Sequence, residues 1–171
     1  MNFDGVVQKL QQKFSGAVER IDSKPEPHVK VAPEKIHDVI QFLRDDLSFE
    51  TLGDLCGMDY PAQNQLGLVY HAASYAHRMS LRLKIFLPRQ GEPEAQTVTD
   101  LFKAANWFER EAFDMYGIRF KGHPDLRRIL MPSDWEGYPL RKDFKTPDYY
   151  NGMPVPLYFD DPAKGTEGGH A

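Results

Sequence analysis

Cysteine is almost missing from this chain: Cys56 is the single one in 171 residues. One thiol excludes a disulfide framework and any four-thiolate zinc or iron–sulfur site built from this chain alone. Its scarcity also fits a reducing compartment. Neither a Gly-rich dinucleotide fingerprint nor a P-loop occurs. His28, His37, His71, His77, His123 and His170 are scattered, without the H-x-H or H-x-x-x-H spacing that presents two imidazoles to one metal. An excess of one charge is lacking too. Lys and Arg number 21 against 25 Asp and Glu, and a net charge of −4 gives no electrostatic reason to expect nucleic acid. No window approaches the roughly 18 to 20 apolar residues that a membrane span needs. The opening MNFDGVVQKLQQKF lacks the charged-then-apolar order of a signal peptide. Contact with a membrane is therefore expected only through a partner.

What is present reads first as a folded domain. Apolar residues make up 41% of the chain and charged residues 27%, the balance of a globular protein. Phe3, Val6, Val7, Leu10 and Phe14 fall on one face of a helix, with Gly16 as a stop just beyond. Ala17 to Ile21 and His28 to Val31 are short strand candidates, with the turn-forming Ser23 to Pro27 between them. Pro33 suits the first turn of a second helix, whose stripe is Ile36, Val39, Ile40, Leu43 and Leu47. Phe49 to Tyr60 is ambiguous because Gly53 and Gly57 weaken a strand. Leu66 to Tyr75 and Met79 to Leu87 form the clearest hairpin, with Leu81, Leu83, Ile85 and Leu87 alternating with Ser80, Arg82, Lys84 and Phe86. Val98, Leu101, Phe102 and Ala105 suggest another helix. The expectation is an α+β fold: a two-layer domain of about five mostly antiparallel or mixed strands with helices on one face, followed by an extended C-terminal arm.

The character changes after Gly117. Asn106 and Glu109 have the spacing of a capping box for a helix running to Tyr116, with Gly117 ending it and Arg110 and Asp114 placed to pair. Seven of the 13 prolines and seven of the 13 glycines then lie between Gly117 and the C-terminus. Yet Ile118, Phe120, Leu126, Ile129, Leu130, Met131, Trp135, Leu140 and Phe144 would be costly to leave wet, at about 1.5 to 3 kcal/mol each. Residues 1–117 are therefore expected to be the domain, and 118–171 an irregular arm that becomes ordered by lying along partner subunits. The stretch from Pro162 to Ala171 reads as a frayed end.

Glu109-Arg110-Glu111, Asp114-Met115-Tyr116-Gly117-Ile118, Gly122-His123-Pro124-Asp125-Leu126-Arg127-Arg128-Ile129-Leu130 and Gly137-Tyr138-Pro139-Leu140-Arg141-Lys142-Asp143-Phe144 together resemble the signature of one family. It is the thirty-kilodalton (C-type) subunit of proton-translocating NADH:quinone oxidoreductase, respiratory complex I. Lys145 to Ala171 departs from the acidic, tyrosine-containing tails of that family. The resemblance implies a non-catalytic structural subunit of the peripheral arm. It would brace the quinone-site (D-type) subunit and the iron–sulfur (B- and I-type) subunits, on the cytoplasmic side of a bacterial inner membrane or the matrix side in mitochondria. It implies no cofactor in this chain, with FMN, iron–sulfur clusters and quinone held elsewhere in the complex. Related membrane-bound hydrogenases and other quinone reductases share the pattern.

The residues expected at the partner interface are Glu109, Arg110, Glu111, Asp114, Tyr116, Gly117, His123, Pro124, Arg127, Arg128, Asp134, Trp135, Gly137, Pro139, Arg141, Lys142, Asp143 and Phe144. Arg127, Arg128, Arg141 and Lys142 are weighed as interface cations rather than a solvated face. On that basis Arg141→Ala should weaken assembly and leave the melting of the domain unchanged. Two other readings stand beside this one. A free-standing hydrolase would use Glu109, Glu111 or His123, although residues two apart do not share a helix face. A small binding module would dimerise through residues 118–150.

Overall fold

The computed structural model describes residues 2–23 and 26–155. The frayed end expected at 162–171 and two residues of the expected 23–27 turn lie outside them. Helix α1 (Phe3–Lys13) begins at Asn2, whose side chain accepts the Gly5 N–H at 3.0 Å and so satisfies an otherwise unpaired donor. Val6, Val7 and Leu10 are its buried stripe. Strands β1 (Val18–Ile21) and β2 (His28–Val31) follow. Pro33 opens a single 3-10 turn, Pro33–Lys35, and α2 (Ile36–Leu47) starts directly after it with all five expected residues buried. The glycine-weakened stretch is a full strand, β3 (Thr51–Tyr60), ahead of the hairpin β4 (Gln65–Ser74) and β5 (Met79–Pro88).

These five strands form one sheet in the order β1-β2-β5-β4-β3, antiparallel except for the parallel β2–β5 pair. Leu81, Leu83, Ile85 and Leu87 face the same side as Ala72, Tyr70, Leu68 and Leu66, their register partners. That side shares one core with Val6 and Leu10 of α1 and Ile36, Val39 and Leu43 of α2. The register of β3 shifts between Leu52 and Asp54, so Gly53 sits in a bulge, which explains why the strand was hard to read. Gly57 has a different reason. A Cβ there would lie 2.4 Å from the Tyr116 ring, so only glycine lets the following helix rest on β3.

Three expectations change around that helix, α3 (Ala105–Tyr116). The helix expected at 98–105 is a run of turns, with Phe102 N–H on the Val98 carbonyl at 2.9 Å. The capping box is not formed: Ala104 holds the N-cap position, no side chain caps the helix, and Glu109 points inward. The boundary expected after Gly117 falls inside the packed unit. Strand β6 (Glu94–Gln96) pairs in parallel with β7 (Arg119–Lys121), and Ile118 and Phe120 join the core. Gly117 does end the helix, with φ +74°.

Beyond Lys121 the described residues hold one further element, the small hairpin β8 (Tyr149–Tyr150) and β9 (Met153–Pro154). Asn151 and Gly152 both have positive φ, 51° and 78°, as a two-residue hairpin turn of the I′ type demands.

Candidate partner interface

The irregular arm is fixed from beneath by buried carboxylates. Asp114 lies on α3 with its side chain fully buried. Its Oδ2 accepts three successive backbone N–H groups, from Ile129 at 3.0 Å, Leu130 at 2.7 Å and Met131 at 2.9 Å. Its Oδ1 takes the Arg128 guanidinium at 2.8 Å. Burial alone pushes the Asp114 carboxyl up, but the N–H groups of Met131 and Leu130, the Arg128 guanidinium and the Ile129 N–H hold it below the usual carboxylate range. A segment with no regular secondary structure thus has its donors satisfied by one side chain.

Asp59, at the end of β3, does the same for the next part of the arm. Arg89 reaches it bidentately at 2.7 and 3.0 Å, and the Lys142 N–H bonds to it at 2.7 Å. The Arg89 guanidinium holds the Asp59 carboxyl low against the opposing effect of burial. Arg89 also reaches Asp143 at 2.6 Å, so one cation ties the loop after β5 to both β3 and the arm. Between the two carboxylates the Tyr138 ring lies on Gly117, where a Cβ would meet it at 2.4 Å. Arg128 and Arg141 stand 5.6 and 4.9 Å from the centre of that ring. Arg128 also donates to the Gly137 carbonyl at 3.1 Å, Arg141 to the Tyr116 carbonyl at 2.7 Å, and Leu140 N–H to the Met115 carbonyl at 3.1 Å. Phe144 packs against Gly137. The Trp135 and Tyr150 rings pack in a tilted pair with centroids 5.2 Å apart, and the Tyr150 hydroxyl donates to Asp134 at 2.7 Å.

The residues singled out from sequence therefore divide. Asp114, Tyr116, Gly117, Arg128, Gly137, Arg141, Asp143 and Phe144 are brought together within the chain and hold the arm to the domain. Asp134 and Trp135 serve the terminal hairpin. His123 is a turn residue: its Nδ1 accepts the Asp125 N–H at 3.0 Å and its Nε2 lies 3.3 Å from the Asn106 carbonyl. Glu111, Pro124, Arg127 and the Lys142 side chain are exposed, and Pro139 is half-buried. Arg110 does not pair with Asp114; its Nε donates to the Arg127 carbonyl at 3.1 Å. Glu109 is wholly buried and accepts the Thr97 hydroxyl at 2.6 Å and the Val98 N–H at 2.8 Å. Burial pushes its pKa up to about 7, with these two bonds pulling the other way.

Glu109 and Glu111 thus do not converge, one being buried and the other exposed. Among the described residues no group of three His, Cys, Asp or Glu is arranged to hold a metal ion. The arm presents large apolar side chains outward among its charged ones: Leu130 is 60% exposed, Leu140 48% and Tyr149 68%. On α3 beside it, Trp107 is 62% exposed. Asp59, Arg89 and Trp107 were missed from sequence. Asp59 and Arg89 lie in a strand and a loop about which the periodicity says nothing, and their partners are 30 to 83 positions apart. Trp107 had a signal, an indole on the side of α3 away from the buried Ala105, Glu109 and Ala112.

Comparison with known proteins places this geometry. The profile of the family described as respiratory-chain NADH dehydrogenase, 30 Kd subunit, matches residues 29–150. The C-type subunit of NADH-quinone oxidoreductase from Chloroherpeton thalassium is 42% identical over 152 residues, 86% of this chain and 62% of that protein. The chain therefore spans less than two thirds of that relative's length. The C-type subunit of F(420)H(2) dehydrogenase from Methanosarcina mazei is 39% identical over 143 residues, 82% of this chain and 90% of that one. A chain in the solved membrane-bound sulfane sulfur reductase, an archaeal respiratory membrane complex, superposes with a TM-score of 0.71 at 25% identity, covering 83% of this chain and 85% of that one.

Proposed function

Because this chain belongs to the respiratory-chain NADH dehydrogenase 30 Kd subunit family, we propose that it is a non-catalytic structural subunit of the peripheral arm of an NADH:quinone oxidoreductase. It braces the quinone-site subunit and the iron–sulfur subunits, and so supports electron transfer from NADH to quinone and the coupled proton translocation. FMN, the iron–sulfur clusters and quinone are held elsewhere in the complex in this reading. The chain lies on the cytoplasmic side of a bacterial membrane, or the matrix side of a mitochondrial one, and meets the membrane only through the complex. Among the described residues no helix is long and apolar enough to cross a bilayer.

The observation that supports this reading best is the division of labour within the arm. Four of its backbone donors and the Arg128 guanidinium are satisfied by Asp114 and Asp59 of its own domain. Its large apolar side chains are left facing water at Leu130, Leu140 and Tyr149. Exposed apolar side chains on a rigid support are what a protein–protein interface requires. The buried carboxylates, by contrast, are fully engaged and have no reacting centre to serve.

The family also includes subunits of complexes with other electron donors, as the Methanosarcina relative's name indicates. The equivalent subunit of such a complex is therefore the second reading. Native purification of the tagged chain from solubilised membranes tests both. Co-elution with iron–sulfur and membrane subunits supports assembly, and NADH-dependent against F420H2- or hydrogen-dependent quinone reduction by the eluate separates the two. Recovery of the chain alone, at its monomer mass, would overturn both.

A further inference from the structure

The arm is not the whole of the exposed surface on this side of the molecule. Trp107 and Arg110 are one turn apart on α3 and share a face. The Arg110 guanidinium carbon lies 5.0 Å from the centre of the Trp107 ring. The two residues are placed oppositely: the indole is 62% exposed, whereas Arg110 is only 7% exposed. An arginine this buried ordinarily has a carboxylate. Asp114, one turn further on, is the expected one, but it is already taken by Arg128 and by three backbone N–H groups. Arg110 is left with one hydrogen bond, from Nε to the Arg127 carbonyl. Among the described residues no acceptor takes the donors of its two Nη atoms, and no carboxylate pairs with it. An arginine that is 7% exposed overall, with its fork unfilled, lies beside an indole with its body in water.

We infer that Trp107 and Arg110 form an anchor of the assembly interface: the indole enters an apolar pocket of a partner subunit, and a carboxylate at its rim fills the Arg110 fork. The inference rests on the assembly reading above and adds to it a site on α3, outside the arm, and the chemistry of what receives it. The partner surface is acidic at this point for two reasons. The planar fork matches a carboxylate with two parallel hydrogen bonds, which no neutral acceptor supplies as well. Further, the segment between Gly117 and Pro147 that flanks the anchor carries seven Lys and Arg against four Asp and Glu, in a chain whose net charge is −4. That excess of positive charge in the flanking segment makes an acidic surface its complement. Trp and Arg are also the side chains that most often dominate interface energies, because an aromatic body and a planar cation bury much area at little entropic cost.

The test uses the tagged full-length chain expressed in its own host and purified natively from solubilised membranes. Trp107→Ala, Arg110→Gln and Leu130→Asp are compared with wild type by the amount of chain recovered in the complex. Thermal melting of the free chain is measured alongside. Trp107→Ala and Arg110→Gln should each reduce recovery at least about 10-fold. Melting of the Trp107→Ala chain should stay at the wild-type value, because the indole is mostly in water before assembly. Wild-type recovery of Trp107→Ala while Leu130→Asp is lost would remove the anchor and leave the assembly reading standing. Wild-type recovery of all three would remove both. Loss with Trp107→Ala but full recovery with Arg110→Gln, at normal melting, would contradict the acidic partner.

Discussion

The Asp114 carboxylate accepts the Leu130 N–H at 2.7 Å, while Leu130 itself stands 60% exposed. The same residue is therefore fixed inward and displayed outward. This relationship inverts the simplest view of a proline-broken, apolar segment, in which it stays loose until a partner supplies its shape. Here the shape is set within the chain by two aspartates.

Removing the first aspartate should release the arm. Asp114→Ala leaves the Arg128 guanidinium and the N–H groups of Ile129, Leu130 and Met131 without an acceptor. Breaking a buried charge pair costs about 3–5 kcal/mol, so the chain should melt lower. Trypsin should then cut at Arg127 and Arg128 earlier than it does in wild type. Unchanged cleavage kinetics would show that the arm is held by something else.

Arg141 gives an opposite outcome to the one its sequence context suggests. Its Nε donates to the Tyr116 carbonyl at 2.7 Å and its guanidinium stacks on Tyr138. Hydrogen bonds to charged groups contribute about 1.5–3 kcal/mol. Arg141→Ala should thus lower the melting temperature of the isolated chain by a measurable amount, as read by calorimetry. Melting identical to wild type would return Arg141 to the partner side of the interface.

Glu109 sets a pH dependence of unusual sign for a carboxylate. Its pKa rises from 4.5 in the unfolded chain to about 7 in the folded one. The folded state then binds the proton more tightly, so its contribution is complete below about 4.5 and is lost as pH rises through about 7. Asp114 and Asp59 are depressed and act in the other direction, losing their contribution as pH falls below about 3.9. Urea titrations across pH 5 to 8.5 should show a decline on the order of 3 kcal/mol. Glu109→Gln should flatten it while keeping an acceptor for the Val98 N–H. A wild-type profile level across that range would contradict the assignment.

Two glycines with nearly the same backbone separate strain from contact. Gly16 has φ +79° and open space around it; Gly117 has φ +74° and the Tyr138 ring at 2.4 Å from where a Cβ would be. Alanine at Gly16 should cost about 1–2 kcal/mol from the left-handed backbone alone. At Gly117 the displaced ring adds to this, so denaturant midpoints should fall further for Gly117→Ala than for Gly16→Ala. Equal midpoints would mean that Tyr138 does not press on α3.

Much of the domain was legible because local pattern and tertiary burial agree. Val6, Val7 and Leu10 of the α1 stripe, the whole α2 stripe and the alternation at Leu81, Leu83, Ile85 and Leu87 are found buried, with Phe3 and Phe14 partly so. Thr51–Tyr60 was obscured because Gly53 and Gly57 serve a bulge and a helix contact, neither visible in a strand's own residues. Glu109 has the spacing of a capping residue, but that spacing is silent on the side to which the helix turns. The motif from Glu109 to Phe144 identified the family, yet not the direction of its charges, since Arg128 and Arg141 find partners 14 and 25 positions away. The Asn151-Gly152 hairpin did have a local signature, a two-residue turn between apolar pairs, and could have been read.

Amide hydrogen exchange of the isolated full-length chain, read at Ile129, Leu130 and Met131, tests the self-anchored arm most directly. Three N–H groups held by a buried carboxylate should exchange at least about 100-fold more slowly than an unstructured chain, and Asp114→Ala should abolish the protection. Exchange at the unstructured rate in the free wild-type chain, with protection appearing only in the assembled complex, would contradict this account.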